Sequence, residues 1–194
     1  ESHYCITIDH IIKHEEADSL LETIASNEAQ REEWVKLFAI DEIEGDLSNP
    51  AYSSPLTTDF LKANDKLLVD TKFYDTKFKY QLLNMFDQLD DQTDGLMINS
   101  ENFQALNLLQ DRYREQVKCI YIDPPYNTES SPIIYKNEYR HSSWASLMED
   151  RIRLSLNVGF KESIYHTAID YAEIFNIGKI KDQIFNENNR VGLV

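Results

Sequence analysis

The hydrophobic and polar positions of this chain change their spacing near its middle. Residues 4–40 place apolar side chains at helical intervals among many acidic residues, which predicts a mainly helical segment. Residues 41–60 lose that periodicity and contain Asn49, Pro50 and Pro55, which are typical of a loop. We therefore predict two domains, an acidic helical region over residues 1–55 and a second domain over residues 56–194.

The second part of the chain alternates strand and helix patterns. A strand candidate at residues 67–69 and a helix at 79–89 come first. Short apolar runs at residues 96–98, 117–122 and 164–169 then predict strands, and Ser100 is a candidate N-cap for a helix over 101–114. Residues 142–156 and a stripe of isoleucines from Ile174 to Ile184 predict two more helices. This alternation predicts an α/β fold in which crossover helices join parallel strands. Residues 157–162, between helix and strand, neither continue the helix nor form a good turn.

The strand pattern at residues 117–122 stops at Asp123, Pro124, Pro125 and Tyr126. The preceding run is apolar enough to predict a buried parallel strand, and ligands of open α/β sheets bind at the carboxyl ends of such strands. Because prolines fix φ and lack an N–H, the Asp123 carboxylate and the Pro124 carbonyl would form a rigid pair of acceptors.

Such a pair of acceptors suits the exocyclic amine of a nucleobase. Two acceptors could hold its N–H groups and stabilise the positive charge that develops when the nitrogen attacks a methyl group. The ring of Tyr126 could stack on the base. A strand that simply ends in a proline turn with an aspartate cap is the structural alternative.

Charge and composition qualify this picture. The 194-residue chain has a formal net charge of −15, which is unusual for a DNA-binding protein. However, 21 of the 34 acidic residues but only 8 of the 19 basic residues lie within residues 1–94. The half that contains the predicted site is therefore near neutral. The acidic residues of 1–94 form either a solvated face or a docking surface for a basic partner.

Membrane and metal functions receive little support from the sequence. No apolar stretch approaches the roughly 20 residues that span a bilayer, and Cys5 and Cys119 do not suggest a disulfide framework. We expect no membrane partner and a reducing, cytoplasmic location. His3, Cys5, His10 and His14 lack the spacing of a zinc site, so we predict no metal.

Four blocks in a fixed order give the second half a specific resemblance. They are INSENFQALNLL (98–109), VKCIYIDPPYNT (117–128), YRHSSWASLMEDRI (139–152) and AIDYAE (168–173). Together they resemble the Mod subunits of Type III restriction-modification systems and, more broadly, the beta group of DNA adenine-N6 methyltransferases. The resemblance implies a partial Rossmann-like methyltransferase sheet, S-adenosylmethionine as methyl donor and a flipped adenine as acceptor. Cytosine-N4 methylation and a non-catalytic scaffold with the same fold remain alternatives.

The resemblance also implies roles for individual residues. Asp123 and Pro124 would bind the target amine, Pro125 would complete the catalytic motif and Tyr126 would stack on the base. Asp123 would also contact the cofactor, and Asn127 and Thr128 would continue the pocket wall beside it.

Four further positions are cofactor or DNA candidates. Glu101 and Asn102 stand where the family commonly has an Asp-Asn pair near the methyl donor, although a capped helix start explains them equally well. Arg140 and His141 are candidates for contacts with DNA phosphates. Trp144 could line a pocket, but its place on an apolar helical stripe favours the core.

One expected element is absent from the sequence. The family binds S-adenosylmethionine with a Phe-x-Gly-x-Gly turn, and none of the five glycines forms part of such a turn. We therefore expect a portion of a larger enzyme that is inactive alone. DNA is the implied partner, and a restriction subunit, another protein or a second copy of the chain could join it.

Overall fold

The computed structural model describes residues 2–128 and 140–192 and divides the chain into two compact units, Glu1–Leu96 and Met97–Val194. The division lies well after residue 55, where the sequence predicted a boundary. Leu56, Phe60 and Leu82 pack in the same hydrophobic core as Leu21 and Trp34, so the residues on both sides of the predicted boundary belong to one unit.

The first unit combines short helices with a small antiparallel sheet. Strand β1 (Cys5–Thr7) pairs with β2 (Leu68–Asp70). The helices in the described part of this unit are α1 (Ile8–Ile12), α2 (Ala17–Ser26), α3 (Glu28–Phe38), α4 (Thr58–Ala63) and α5 (Thr76–Leu83). The segment predicted as mainly helical thus begins with a strand, and the helix predicted at 79–89 begins and ends earlier in the chain.

Polar side chains fix the ends of these helices and the packing of α3. Asn27, Thr57 and Asp75 each accept a hydrogen bond from a backbone N–H in the first turn of the helix that follows. Trp34, only 1% exposed, donates its indole N–H to the Leu68 carbonyl at 2.8 Å. No helix within the described ranges is both long enough and apolar enough to cross a membrane.

The second unit contains the parallel strands. Its described elements are α6 (Asn102–Tyr113), β3 (Val117–Ile122), α7 (Arg140–Leu156), β4 (Gly159–Thr167) and α8 (Ile174–Phe185). Strands β3 and β4 are parallel neighbours, and α7 lies between them in the chain. The mixed α/β character and the parallel pairing are confirmed.

Residues 96–98 do not form the predicted strand. Leu96 and Met97 are 56% and 95% exposed, and no neighbouring strand pairs with them within the described residues. The cap of α6 is Glu101 rather than Ser100, because the Glu101 carboxylate accepts the Phe103 N–H at 2.8 Å.

Strand β3 has the predicted bounds, but it is not buried on both faces. One face packs against a core from α7 and α8 that contains Trp144, Met148, Ile152, Ile177 and Ile180. On the other face Tyr121 is 63% exposed and stacks on His166 of β4, with ring centroids 5.3 Å apart. The apolar composition of a strand cannot reveal how many layers cover it, so the prediction of burial was wrong.

Strand β4 begins five residues earlier than predicted and contains an irregularity. Val117 pairs with Gly159, but Cys119 pairs with Ile164, so residues 160–163 have no regular partners on β3. Such a bulge interrupts the alternation of side chains along a strand. The segment 157–162, which the sequence predicted as neither a helix continuation nor a good turn, thus contains the start of this irregular strand.

Candidate functional site

The loop Asp123 to Tyr126 lies at the carboxyl end of β3, as predicted. The Asp123 side chain is exposed, and its interaction with the Tyr126 hydroxyl is the main reason that the pKa of this phenol is raised. The charge of Asp170, which follows β4, raises it further. Adjacent parallel strands therefore bring two acidic residues to one edge of the sheet, around the ring predicted to stack on a base.

Trp144 anchors this loop from the core. It is fully buried on α7, and its indole N–H donates to the Pro125 carbonyl at 2.8 Å. Within the described residues no donor reaches the Pro124 carbonyl, the second acceptor that the sequence predicts. Trp144 therefore belongs to the core, and its one polar atom fixes the motif.

Asn127 fixes the backbone immediately after Tyr126. It has a positive φ of 57° and is 1% exposed. Arg140 donates from Nε to Asn127 Oδ1 at 3.1 Å and from Nη2 to the Asn127 carbonyl. The amide of Asn127 donates to a carboxylate oxygen of Glu173. A left-handed conformation is uncommon in residues other than glycine, and asparagine is among the side chains that adopt it most readily.

The two basic residues predicted to contact DNA lie at the start of α7 and form hydrogen bonds in the network around Asn127 and Glu173. Arg140 binds Asn127, and His141 Nδ1 lies 2.7 Å from Glu173 Oε1. Their contact with phosphates stays a prediction. Thr128, half-buried, is the last described residue before the gap, and its role at the cofactor also stays a prediction.

Glu173 is the residue that sequence reasoning missed. Its carboxylate is fully buried at the start of α8 and contacts Asn127, His141 and Asn176. The sequence held one signal, since Glu173 ends the AIDYAE block. An acid at a helix start is usually an exposed cap, so its burial could not be predicted from that position.

A second cluster holds the predicted cofactor residues. Arg151 of α7 donates from Nη2 to Glu101 Oε1 and from Nε to Asn102 Oδ1, the latter at 2.5 Å. The hydrogen bond with Arg151 is the main reason that the pKa of Glu101 is lowered. Trp144 and Arg151 are seven residues apart on α7, about two helical turns or roughly 10 Å. One helix therefore anchors both the Asp123 loop and the start of α6.

Comparison with known proteins gives the same assignment as the ordered sequence blocks. No family model matches the chain. Over 101 residues, 52% of its length, the chain is 30% identical to the probable Type III restriction-modification enzyme HindVI Mod subunit of Haemophilus influenzae, of which it covers 14%. In an alignment of 125 residues that covers 50% of the chain, it is 27% identical to the Type III restriction-modification enzyme StyLTI Mod subunit of Salmonella typhimurium, of which it covers 19%.

Half of this chain is Mod-subunit-like. The predicted resemblance to Type III Mod subunits is therefore confirmed. The chain spans about a fifth or less of the length of these relatives. Within the Mod-like portion, the structure adds the anchors Trp144, Arg151 and Glu173 to the motif that the sequence revealed.

Proposed function

We propose that the Mod-like portion contains the amine-binding part of a DNA adenine-N6 methyltransferase of a restriction-modification system. The exposed Asp123 carboxylate beside Tyr126, at the end of a parallel strand, is the observation that carries this proposal. The β3, α7 and β4 unit would be part of a Rossmann-like sheet. The similarity to Type III Mod subunits supports the same function.

The target base would bind through its exocyclic amine. The two N–H groups would donate to the Asp123 carboxylate and to the Pro124 carbonyl, so positive charge that develops on the nitrogen would be stabilised. An ionised carboxylate has about four acceptor sites, so Asp123 can bind the amine and still interact with the Tyr126 hydroxyl. The adenine would first leave the duplex stack, which costs a few kcal/mol, and stacking on Tyr126 would offset part of that cost.

S-adenosylmethionine would supply the methyl group. The start of α6 fits one part of this donor, because the exposed Glu101 carboxylate is a hydrogen-bond acceptor whose pKa Arg151 holds below its usual range. Such an acceptor suits ribose hydroxyls. Arg151 would then orient Glu101 and Asn102. Trp144, on the same helix as Arg151, would hold the loop that contains the amine site.

The partners follow from this function. We propose DNA as the substrate and a restriction subunit as a protein partner, since the named relatives are Mod subunits of Type III restriction-modification enzymes. Self-association of the chain and a cytoplasmic location are part of the same proposal.

Replacement of Asp123 by alanine in the intact natural protein tests the proposed function. We expect methyl transfer to DNA to fall by on the order of 100-fold or more, the effect of removing one preorganised group at a developing charge. DNA affinity should stay within about threefold, because phosphate contacts dominate it. Asp150→Ala is the matched control, since Asp150 is an exposed acid on α7. Methyl transfer that survives in the Asp123 variant would rule the assignment out.

A further inference from the structure

The buried carboxylate of Glu173 forms hydrogen bonds through both of its oxygens. Oε1 contacts Asn127 Nδ2 and His141 Nδ1, and Oε2 accepts from Asn176 Nδ2 at 2.6 Å. A carboxylate without solvent exposure loses its hydration, and only such partners offset that loss. The same fold could place an apolar residue at the start of α8 without this requirement. The geometry therefore points to a role for this acid beyond packing.

Asn127 connects Glu173 to the amine-binding motif. The Asn127 amide has a donor side that faces Glu173 and an acceptor side that faces Arg140 Nε, so only one orientation of the amide satisfies both neighbours. Arg140 also binds the Asn127 backbone carbonyl. Because Asn127 follows Tyr126 directly in the chain, its fixed position restrains the backbone from which the Tyr126 side chain projects. The Asp123 carboxylate in turn raises the pKa of the Tyr126 hydroxyl, so the two groups interact.

We propose that Glu173 is a positioning residue that keeps Asp123 and Tyr126 in the amine-binding geometry by holding Asn127. This proposal rests on the proposed function. Glu173 is buried and would not touch the base, so its effect would be on the rate of methyl transfer rather than on DNA binding. A displacement of about 1 Å at a reacting centre can lower a rate by about 100-fold.

Exchange of the acid and the amide between the two positions separates positioning from packing. Glu173→Gln removes the charge and sets an amide N–H₂ against either Asn127 or Asn176, both of which donate. Asn127→Asp sets one buried carboxylate against another. In the double variant, the new glutamine can donate to the new aspartate, which also accepts from Arg140, and the glutamine oxygen can accept from Asn176. The double variant thus restores a hydrogen bond between positions 127 and 173, in which the side chain at position 173 now donates.

We expect each single variant to lower kcat by about 10- to 100-fold, with the KM for DNA changed by less than about threefold. The double variant should recover kcat to within about fivefold of the natural protein. Asn176→Ala is the matched control, because it removes a partner of the other carboxylate oxygen and leaves Asn127 untouched. It should change kcat by less than about threefold. An equal loss in the Asn176 variant, or no recovery in the double variant, would show that Glu173 only stabilises the fold.

A second measurement does not depend on activity. In the Glu173→Gln variant, the backbone amide signals of Tyr126 and Asn127 should shift in an NMR spectrum, whereas those of β2 in the first unit should not. Unshifted Tyr126 and Asn127 signals would overturn the positioning role even if the protein transfers no methyl groups. Absence of methyl transfer from the natural protein would overturn only the proposed function.

Discussion

Two buried tryptophans provide a matched pair of perturbations. Trp34 in the first unit and Trp144 in the second are 1% and 0% exposed, and each donates its indole N–H to a backbone carbonyl at 2.8 Å. Trp34 binds Leu68 of β2, whereas Trp144 binds Pro125 of the amine-binding motif. Replacement of each by phenylalanine removes the same hydrogen bond and the same ring atoms. Only Trp144→Phe should affect the candidate site.

The expected loss of stability is similar for both variants. The lost hydrogen bond contributes about 1 kcal/mol, and the buried apolar area lost with the smaller ring adds about 1–2 kcal/mol. The local free energy of opening should fall by roughly 2–3 kcal/mol, which corresponds to about 30- to 150-fold faster amide exchange. For Trp144→Phe the change should appear at the Ala168 amide, which donates to the Ile122 carbonyl immediately before the motif, and for Trp34→Phe it should appear at β2.

Hydrogen exchange and methyl transfer together test this reasoning. We expect Trp144→Phe to reduce methyl transfer by the intact protein at least about tenfold, because the motif loses its anchor. Trp34→Phe should change it by less than about twofold. An unchanged exchange rate at the Ala168 amide in the Trp144 variant, or an equal loss of methyl transfer in both variants, would exclude this anchoring role.

Two further predictions concern Arg151 and Tyr126. Arg151→Gln should raise the pKa of Glu101 toward its usual value, as measured by NMR titration, because the hydrogen bond with Arg151 is what lowers it. In the natural protein this interaction stabilises the fold at pH values above the unfolded-state pKa of Glu101, and the stabilisation is lost as the pH falls through the folded-state pKa. An unchanged pKa of Glu101 in the Arg151→Gln variant would contradict the assigned contact. Tyr126→Ala should weaken binding of DNA with a flipped 2-aminopurine by about 1–3 kcal/mol, followed by fluorescence, whereas Tyr126→Phe should retain most of the affinity. Equal affinity of the alanine variant and the natural protein would exclude stacking.

Local patterns predicted the elements of the second unit well. The bounds of β3 were correct because an apolar run ends at two prolines, which cannot continue a strand ladder. Helix α6 was predicted within one residue at each end from its apolar stripe, although its cap is Glu101 rather than the predicted Ser100. The motif was correctly placed at the carboxyl end of β3, because the apolar run of the strand ends where the motif begins.

Features that depend on distant residues could not be predicted. β1 is three residues long and exists because β2, more than sixty residues later, pairs with it. The burial of Glu173 depends on Asn127 and His141, which belong to other blocks of the sequence. The exposed face of β3 depends on how many layers surround the sheet. Each of these is a tertiary property that a local pattern does not encode.

Asp123 and its neighbours are proposed to bind the amine of adenine in DNA. The most direct test is mass spectrometry of nucleosides from DNA incubated with the intact natural protein and S-adenosylmethionine. We predict N6-methyladenine with the natural protein and with Asp150→Ala, and at least on the order of 100-fold less with Asp123→Ala. N4-methylcytosine in place of N6-methyladenine, or N6-methyladenine formed equally by the Asp123 variant, would contradict the account.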